Sequence, residues 1–122
     1  MKYDFLNIIG LMTGTSMDGI DISLVKTNGK DLIRLNENYF HRYSNKTKDF
    51  LLNILNEDID FNLKRKEFLD EMITEEHYKA LKNLDIVNKS ALIGFHGQTI
   101  YHNPNNKTSI QLGDPKKLAR KL

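Results

Sequence analysis

Residues 5–26 read FLNIIGLMTGTSMDGIDISLVK, and the order of patterns inside this stretch decides the fold. Phe5 to Met12 is an apolar run rich in Ile and Leu, long enough for a buried strand. Ile20 to Lys26 alternates apolar and polar residues, the pattern of a strand with one wet face. Between them lies a polar turn, TGTSMDG, bounded by Gly14 and Gly19. Asn28-Gly29 is a strong hairpin signal and leads into a third strand from Leu32 to about Arg42. The chain therefore opens as an antiparallel meander of three strands.

Two helices follow. Ser44 or Asn45 can cap the first, whose apolar face is Phe50, Leu51, Ile54 and Leu55. The second is predicted from about Asn62 to Leu84. Its packing stripe is Leu69, Met72, Ile73, Ala80, Leu81 and Leu84, and Glu75 and Lys79 are spaced to pair on its outer face. Ala91 to Phe95 reads as a short buried strand that opens into the polar segment HGQT. Asn103-Pro104-Asn105-Asn106 is a turn, and Ser109 to Leu112 is a further strand. Asp114 and Pro115 then start a last helix as N-cap and first helical residue. That helix still runs at Leu122 with no stop signal, so the chain is expected to be a fragment of something longer. The order β-β-β-α-α-β-β-α predicts an α/β fold with a mixed sheet flanked by helices. It resembles a ribonuclease H-like lobe, the building block of the actin, Hsp70 and hexokinase superfamily.

Composition narrows the function. The chain has 122 residues, 18 Lys+Arg against 16 Asp+Glu, and no Cys. That suits one modest domain with an ordinary core. It excludes a disulfide scaffold and a thiolate metal site. No apolar run approaches the ~18 residues of a membrane helix, and the N-terminus lacks the apolar stretch of a signal peptide. Of the basic residues, Lys116, Lys117, Arg120 and Lys121 crowd the last seven positions, where they read as the solvated face of a helix. The rest of the chain has no nucleic-acid profile. Neither a nucleic-acid partner nor a membrane is expected.

Three motifs can carry chemistry. In Gly10–Asp21, GLMTGTSMDGID, Gly14 and Gly19 allow close backbone approach. Successive N–H groups with the hydroxyls of Thr13, Thr15 and Ser16 offer convergent donors to a phosphate. Asp18 or Asp21 could engage magnesium or a bound water. Read bare, the same residues are also a hydroxyl-rich hairpin turn. The motif is not a Walker P-loop, since the Lys and the following helix are both missing. In Gly94–His102, GFHGQTIYH, a strand ends in His, Gly, Gln and Thr, where open α/β sheets bind ligands. His96 and Gln98 could bond a sugar hydroxyl or amide; alternatively His96 is a structural histidine. His96 and His102 have no third ligand at useful spacing, so no zinc site is expected. In QLGD, Gln111–Asp114, Asp114 is a helix cap or part of an anion site.

These three motifs, in this order, strongly resemble the anhydro-N-acetylmuramic acid kinase family from about Ile8 to Leu122. The resemblance implies a two-lobed actin-like ATPase fold, of which residues 1–122 are an incomplete N-terminal lobe. It implies ATP and Mg2+ as cofactors. The reaction would open the 1,6-anhydro bridge of the sugar with ATP and water, in peptidoglycan recycling in the bacterial cytoplasm. The family's ATP-binding loop maps onto Gly14, Thr15, Ser16, Met17, Asp18, Gly19, Ile20 and Asp21. His96, Gly97, Gln98 and Thr99 would lie near the sugar cleft. A homodimer of the full-length protein remains open. Two features depart from the pattern. Thr13 stands where Ser is common. Met12 stands where the superfamily often places an Asp, so magnesium contacts would come from elsewhere. The catalytic carboxylate is expected in a segment after the Asp114 helix. No catalytic residue is therefore assigned to this chain, and the fragment alone is expected not to turn over. Another sugar kinase of the same superfamily, or a non-catalytic lobe, are the alternatives. A subtilisin-like protease is disfavoured because Ser16 precedes His96. A ribonuclease H-like nuclease is disfavoured because Phe5 to Met12 holds no acid.

Overall fold

A computed structural model describes residues 4–55 and 65–122. The meander forms as predicted. Strands β1 (Leu6–Thr13), β2 (Gly19–Thr27) and β3 (Leu32–Arg42) pair antiparallel, β1 with β2 and β2 with β3. The β2–β3 connection is closed by side chains. Asn28 Oδ1 accepts from the Lys30 and Asp31 amides at 3.0 and 2.7 Å, and Gly29 takes φ +90°. β3 carries a bulge opposite Leu24/Val25, with Asn36 in the left-handed region at φ +56°.

Strand β4 (Leu92–Gly94) adds in parallel to the other side of β1, giving the sheet order β3-β2-β1-β4. It is shorter than the predicted Ala91–Phe95. It is also not buried: Leu92 is 57% exposed, because in register with Ile8 it lies on the sheet face that the helices do not cover. The element order contains one strand more than predicted. β5 (Gln98–Asn103) pairs antiparallel with β6 (Thr108–Leu112) in a separate hairpin, around the turn at Pro104–Lys107.

The helices cover one face of the sheet. Helix α1 (Asn45–Ile54) is capped by Ser44, whose side chain accepts from the Thr47 amide at 3.3 Å. Leu51 and Ile54 are its buried apolar residues; Leu55 lies outside the core. Helix α2 (Lys66–Leu81) is shorter than predicted at its C-terminal end, where Leu84 leads into the short 3-10 turn Asp85–Val87. The predicted start at Asn62 lies outside the described residues. Leu69, Ile73, Ala80 and Leu81 pack against Ile9 and Leu11 of β1 and Ile20, Ile22 and Leu24 of β2 in one core. The opposite sheet face is bare: Met12 is 62% and Phe40 52% exposed.

Helix α3 (Pro115–Lys121) begins as predicted, with Asp114 accepting from the Lys117 amide at 3.1 Å. The carboxylate thus occupies that helix end itself. Lys117 and Lys121 reach back to Glu71 and Glu75 of α2 at 2.7 and 2.8 Å. Glu75 therefore pairs between helices and not with Lys79, its neighbour along α2. Among the described residues no helix is long and apolar enough to cross a membrane.

Candidate functional site

The parallel pairing of β1 with β4 brings the first two motifs together. Ile8, Ile9 and Gly10 lie opposite Leu92, Ile93 and Gly94, a constant offset of 84 residues. The offset persists beyond the ladder. Thr13 Oγ1 donates to the Gly97 carbonyl at 2.7 Å, and Gln98 Nε2 donates to the Gly14 carbonyl at 3.1 Å. Motif one leaves the carboxyl end of β1 and motif two the carboxyl end of β4, side by side. Such strand ends are where open α/β sheets hold ligands.

The loop from Gly14 to Asp18 is tied down from several directions. The Met17 amide donates to the Gly14 carbonyl at 3.3 Å, closing a turn. Met17 itself takes φ +60° and sends its side chain into the core, so only its backbone belongs to the loop surface. The Tyr43 amide donates to the Asp18 carbonyl at 2.9 Å. Lys48 of α1 meets the Asp18 carboxylate at 2.6 Å. That hydrogen bond, followed by one from Ser16 and by the Lys48 charge, holds Asp18 below the usual carboxylate range. Thr15 and Ser16 remain exposed at the tip.

The other residues of the predicted ATP loop sit apart from that tip. Ile20 is a core residue of β2. Asp21 points to the bare sheet face, opposite Met12 of β1 and Phe40 of β3. Gly19 is required for close packing, since a Cβ there would run into the His41 carbonyl oxygen. Gly14 differs: a Cβ there would meet nothing nearer than Ser16 Oγ at 3.7 Å. Among the described residues, none demands glycine at that position. Thr13, one of the three predicted hydroxyl donors, faces inward and is spent on Gly97.

Motif two divides likewise. His96 is exposed in the bend between β4 and β5. Gly97 is buried at φ +75°, with no room for a Cβ before the Leu112 carbonyl. Gln98 is wholly buried. Its Oε1 accepts from the Tyr43 hydroxyl at 2.9 Å, and its Nε2 donates to the carbonyls of Gly14 and Thr99, both at 3.1 Å. Thr99 is half-buried, its hydroxyl 3.4 Å from the Gln111 amide.

Behind this arrangement lies a polar layer that the sequence reading missed. Glu76 of α2 is buried. It accepts from the Ser44 amide at 2.9 Å and meets His41 Nε2 at 3.2 Å. Burial, and then the Glu76 charge, push the Tyr43 hydroxyl far up, so it stays protonated and donates to Gln98. His77, also buried, donates Nδ1–H to the Ile73 carbonyl at 2.8 Å and meets the Phe95 ring edge-on. Helical spacing could have found both. Positions 76 and 77 fall between Ile73 and Ala80 on the stripe already marked as core.

Known proteins match this chain over nearly its whole length. The family model for anhydro-N-acetylmuramic acid kinase covers residues 6–122. The chain belongs to that family. Among curated relatives, the anhydro-N-acetylmuramic acid kinase of Bradyrhizobium diazoefficiens is 32% identical, over 96% of this chain and 35% of its own length. That of Rhodospirillum rubrum is 34% identical, over 93% and 31%. That of Pelagibacter ubique is 34% identical, over 97% and 33%. The chain thus spans about a third of the length of the curated anhydro-N-acetylmuramic acid kinases it matches.

Proposed function

We propose that residues 1–122 form the incomplete N-terminal lobe of an anhydro-N-acetylmuramic acid kinase and that the Gly14–Asp18 loop grips the phosphates of ATP. The observation that carries this reading is the junction of motifs one and two at the ends of adjacent parallel strands. The sheet order β3-β2-β1-β4 supports a ribonuclease H-like lobe of the actin, Hsp70 and hexokinase superfamily.

The reaction we assign to the whole protein is ring opening with phosphorylation. A carboxylate base removes a proton from water, which attacks the anomeric carbon of the 1,6-anhydro sugar. The bridging oxygen leaves that carbon and attacks the γ-phosphoryl group of ATP, releasing ADP. The base belongs to the part of the relatives that this chain does not span. This chain supplies charge stabilisation and orientation. The Gly14 carbonyl is turned inward to Gln98, so the Thr15 N–H across the same trans peptide faces outward, as phosphate binding needs. Thr15 is exposed at the same tip, while the Ser16 hydroxyl is directed to Asp18. A Cβ at Gly14 would make only ordinary contacts with Ser16, and a glycine there fits close approach of a phosphate.

Magnesium, when bound with ATP, would neutralise phosphate charge. Asp18 suits it poorly, because its carboxylate is already paired with Lys48. Asp21 is the better candidate, through water, since magnesium often takes one carboxylate plus substrate phosphates. His96 and Thr99 would face the sugar side, with Gly97 and Gln98 buried behind them. A bacterial cytoplasmic setting suits such a metabolic kinase, and a homodimer of the whole protein is compatible with it.

Titration of the chain with magnesium and a non-hydrolysable ATP analogue, followed by amide NMR, tests the assignment. Shifts centred on Gly14–Gly19 are expected. Saturable shifts elsewhere, or none at millimolar analogue, would sink it.

A further inference from the structure

We infer that Gln98 and Tyr43 are positioning residues that set the polarity of the phosphate loop, and that Gln98 is not a sugar ligand. The inference rests on the nucleotide-binding reading of that loop.

Tyr43 sits at the β3–α1 junction with its hydroxyl buried. The Gly14 and Thr99 carbonyls can only accept, so the Gln98 amide nitrogen must lie on their side. Its oxygen then faces Tyr43, whose hydroxyl donates to Oε1 at 2.9 Å. Both N–H groups of Nε2 are then committed, one to Gly14 and one to Thr99. With no surface exposed and every polar atom engaged, Gln98 has nothing left to offer a sugar.

The Gly14 carbonyl is the point of leverage. It accepts from Gln98 and, at 3.3 Å, from the Met17 amide. Without the Gln98 bond it would be held by the longer bond alone. The peptide between Gly14 and Thr15 has no Cβ on its first residue to resist rotation. A flip would bring a carbonyl oxygen to the surface in place of an N–H and repel a phosphate. A side chain 84 residues away in sequence therefore decides whether the loop presents a donor or an acceptor. Tyr43 holds that side chain, and its neighbour Ser44 is held in turn by Glu76.

Two variants of the full chain test this. Gln98→Glu keeps the shape and the Tyr43 bond but, as a carboxylate, cannot donate to Gly14. Tyr43→Phe removes the bond that braces Gln98 Oε1 and is the milder change. Amide NMR without ligand should show Thr15 and Ser16 displaced in both variants, with the core signals of Ile9 and Ile22 unmoved. Affinity for magnesium and the ATP analogue should fall about tenfold in Gln98→Glu and about threefold in Tyr43→Phe, as expected for one lost buried hydrogen bond. Binding of the anhydro sugar should change less than twofold in either. If Gln98→Glu does not fold, Tyr43→Phe alone decides. Unmoved Thr15 and Ser16 signals, or a loss of sugar affinity with nucleotide affinity intact, would overturn the inference. If the unmodified chain binds no nucleotide yet Thr15 and Ser16 still move in the variants, the latch stands and the nucleotide reading fails.

Discussion

The two motifs that meet at the ends of β1 and β4 are built in opposite senses. Motif one turns its central residues outward: Thr15 and Ser16 are exposed, and a side chain at Gly14 would meet only ordinary contacts with Ser16. Motif two turns inward: Gly97 and Gln98 are buried against Leu112, Tyr43 and Gly14. Both looked like ligand-binding loops in the sequence. The difference teaches that one motif can leave its loop exposed because the other is spent behind it as support.

The same chemical change at two glycines separates these roles most sharply. Gly97→Ala forces a side chain into the left-handed region and into the Leu112 carbonyl. It should destabilise the chain by about 3 kcal/mol, near the upper end for a single substitution. The melting temperature should fall by roughly 10 °C or more by circular dichroism. Gly14→Ala meets no such obstacle and should leave the midpoint within about 0.5 kcal/mol. It should nevertheless weaken magnesium–ATP analogue binding by about tenfold, because the added methyl stands where a phosphate would approach. A Gly97→Ala chain that melts normally, or a Gly14→Ala chain that binds normally, would erase the contrast between the motifs.

How much of this was legible beforehand depends on how far each feature is written locally. The meander was readable because β1, β2 and the Asn28-Gly29 turn each carry a short-range pattern. The Asp114 cap was readable for the same reason. β5 was missed because Gln98–Asn103 reads as the tail of a binding motif, although its partner β6 was legible as the strand Ser109 to Leu112. The exposure of Leu92 was missed because an apolar run cannot say whether both faces of its strand are covered. The junction of the motifs was half visible. Both lie at strand ends, but the offset of 84 residues is a property of parallel register, which sequence alone does not fix. The family resemblance placed the proposed ATP loop within motif one, where Thr15 and Ser16 are exposed. It could not say that Gln98 faces inward, because that orientation depends on Tyr43, from a stretch without any motif.

The inward region should also respond to acid. Burial holds the His77 imidazole below its ordinary value of 6.5, while the unfolded chain titrates near that value. Between the folded and unfolded values the unfolded state binds more protons. His77 therefore contributes stability that is full above about pH 6.5 and lost progressively as pH falls below it. Denaturant midpoints measured from pH 7.5 to 5 should decline, and His77→Gln should flatten the decline. An unchanged slope in His77→Gln would assign the acid sensitivity to another group.

The outward region should show the smaller acid response. Lys48, with Ser16, holds Asp18 below its ordinary 3.8. A depressed carboxylate stabilises the fold above its unfolded value, and that contribution is lost as pH falls through the folded one. Both partners are partly exposed, so salt should weaken the pair. Carbon-detected titration of the Asp18 carboxyl should give a midpoint below 3.8 in the unmodified chain. Lys48→Met should move it back toward 3.8, and 0.5 M salt should move it partway. Core signals should stay fixed, since the loop is also held through the Tyr43 amide and Gln98. If Lys48→Met instead displaced Thr15 and Ser16 as far as Gln98→Glu does, the ion pair on the surface would share control of the loop. The division between an offered surface and a committed support would then have to be redrawn.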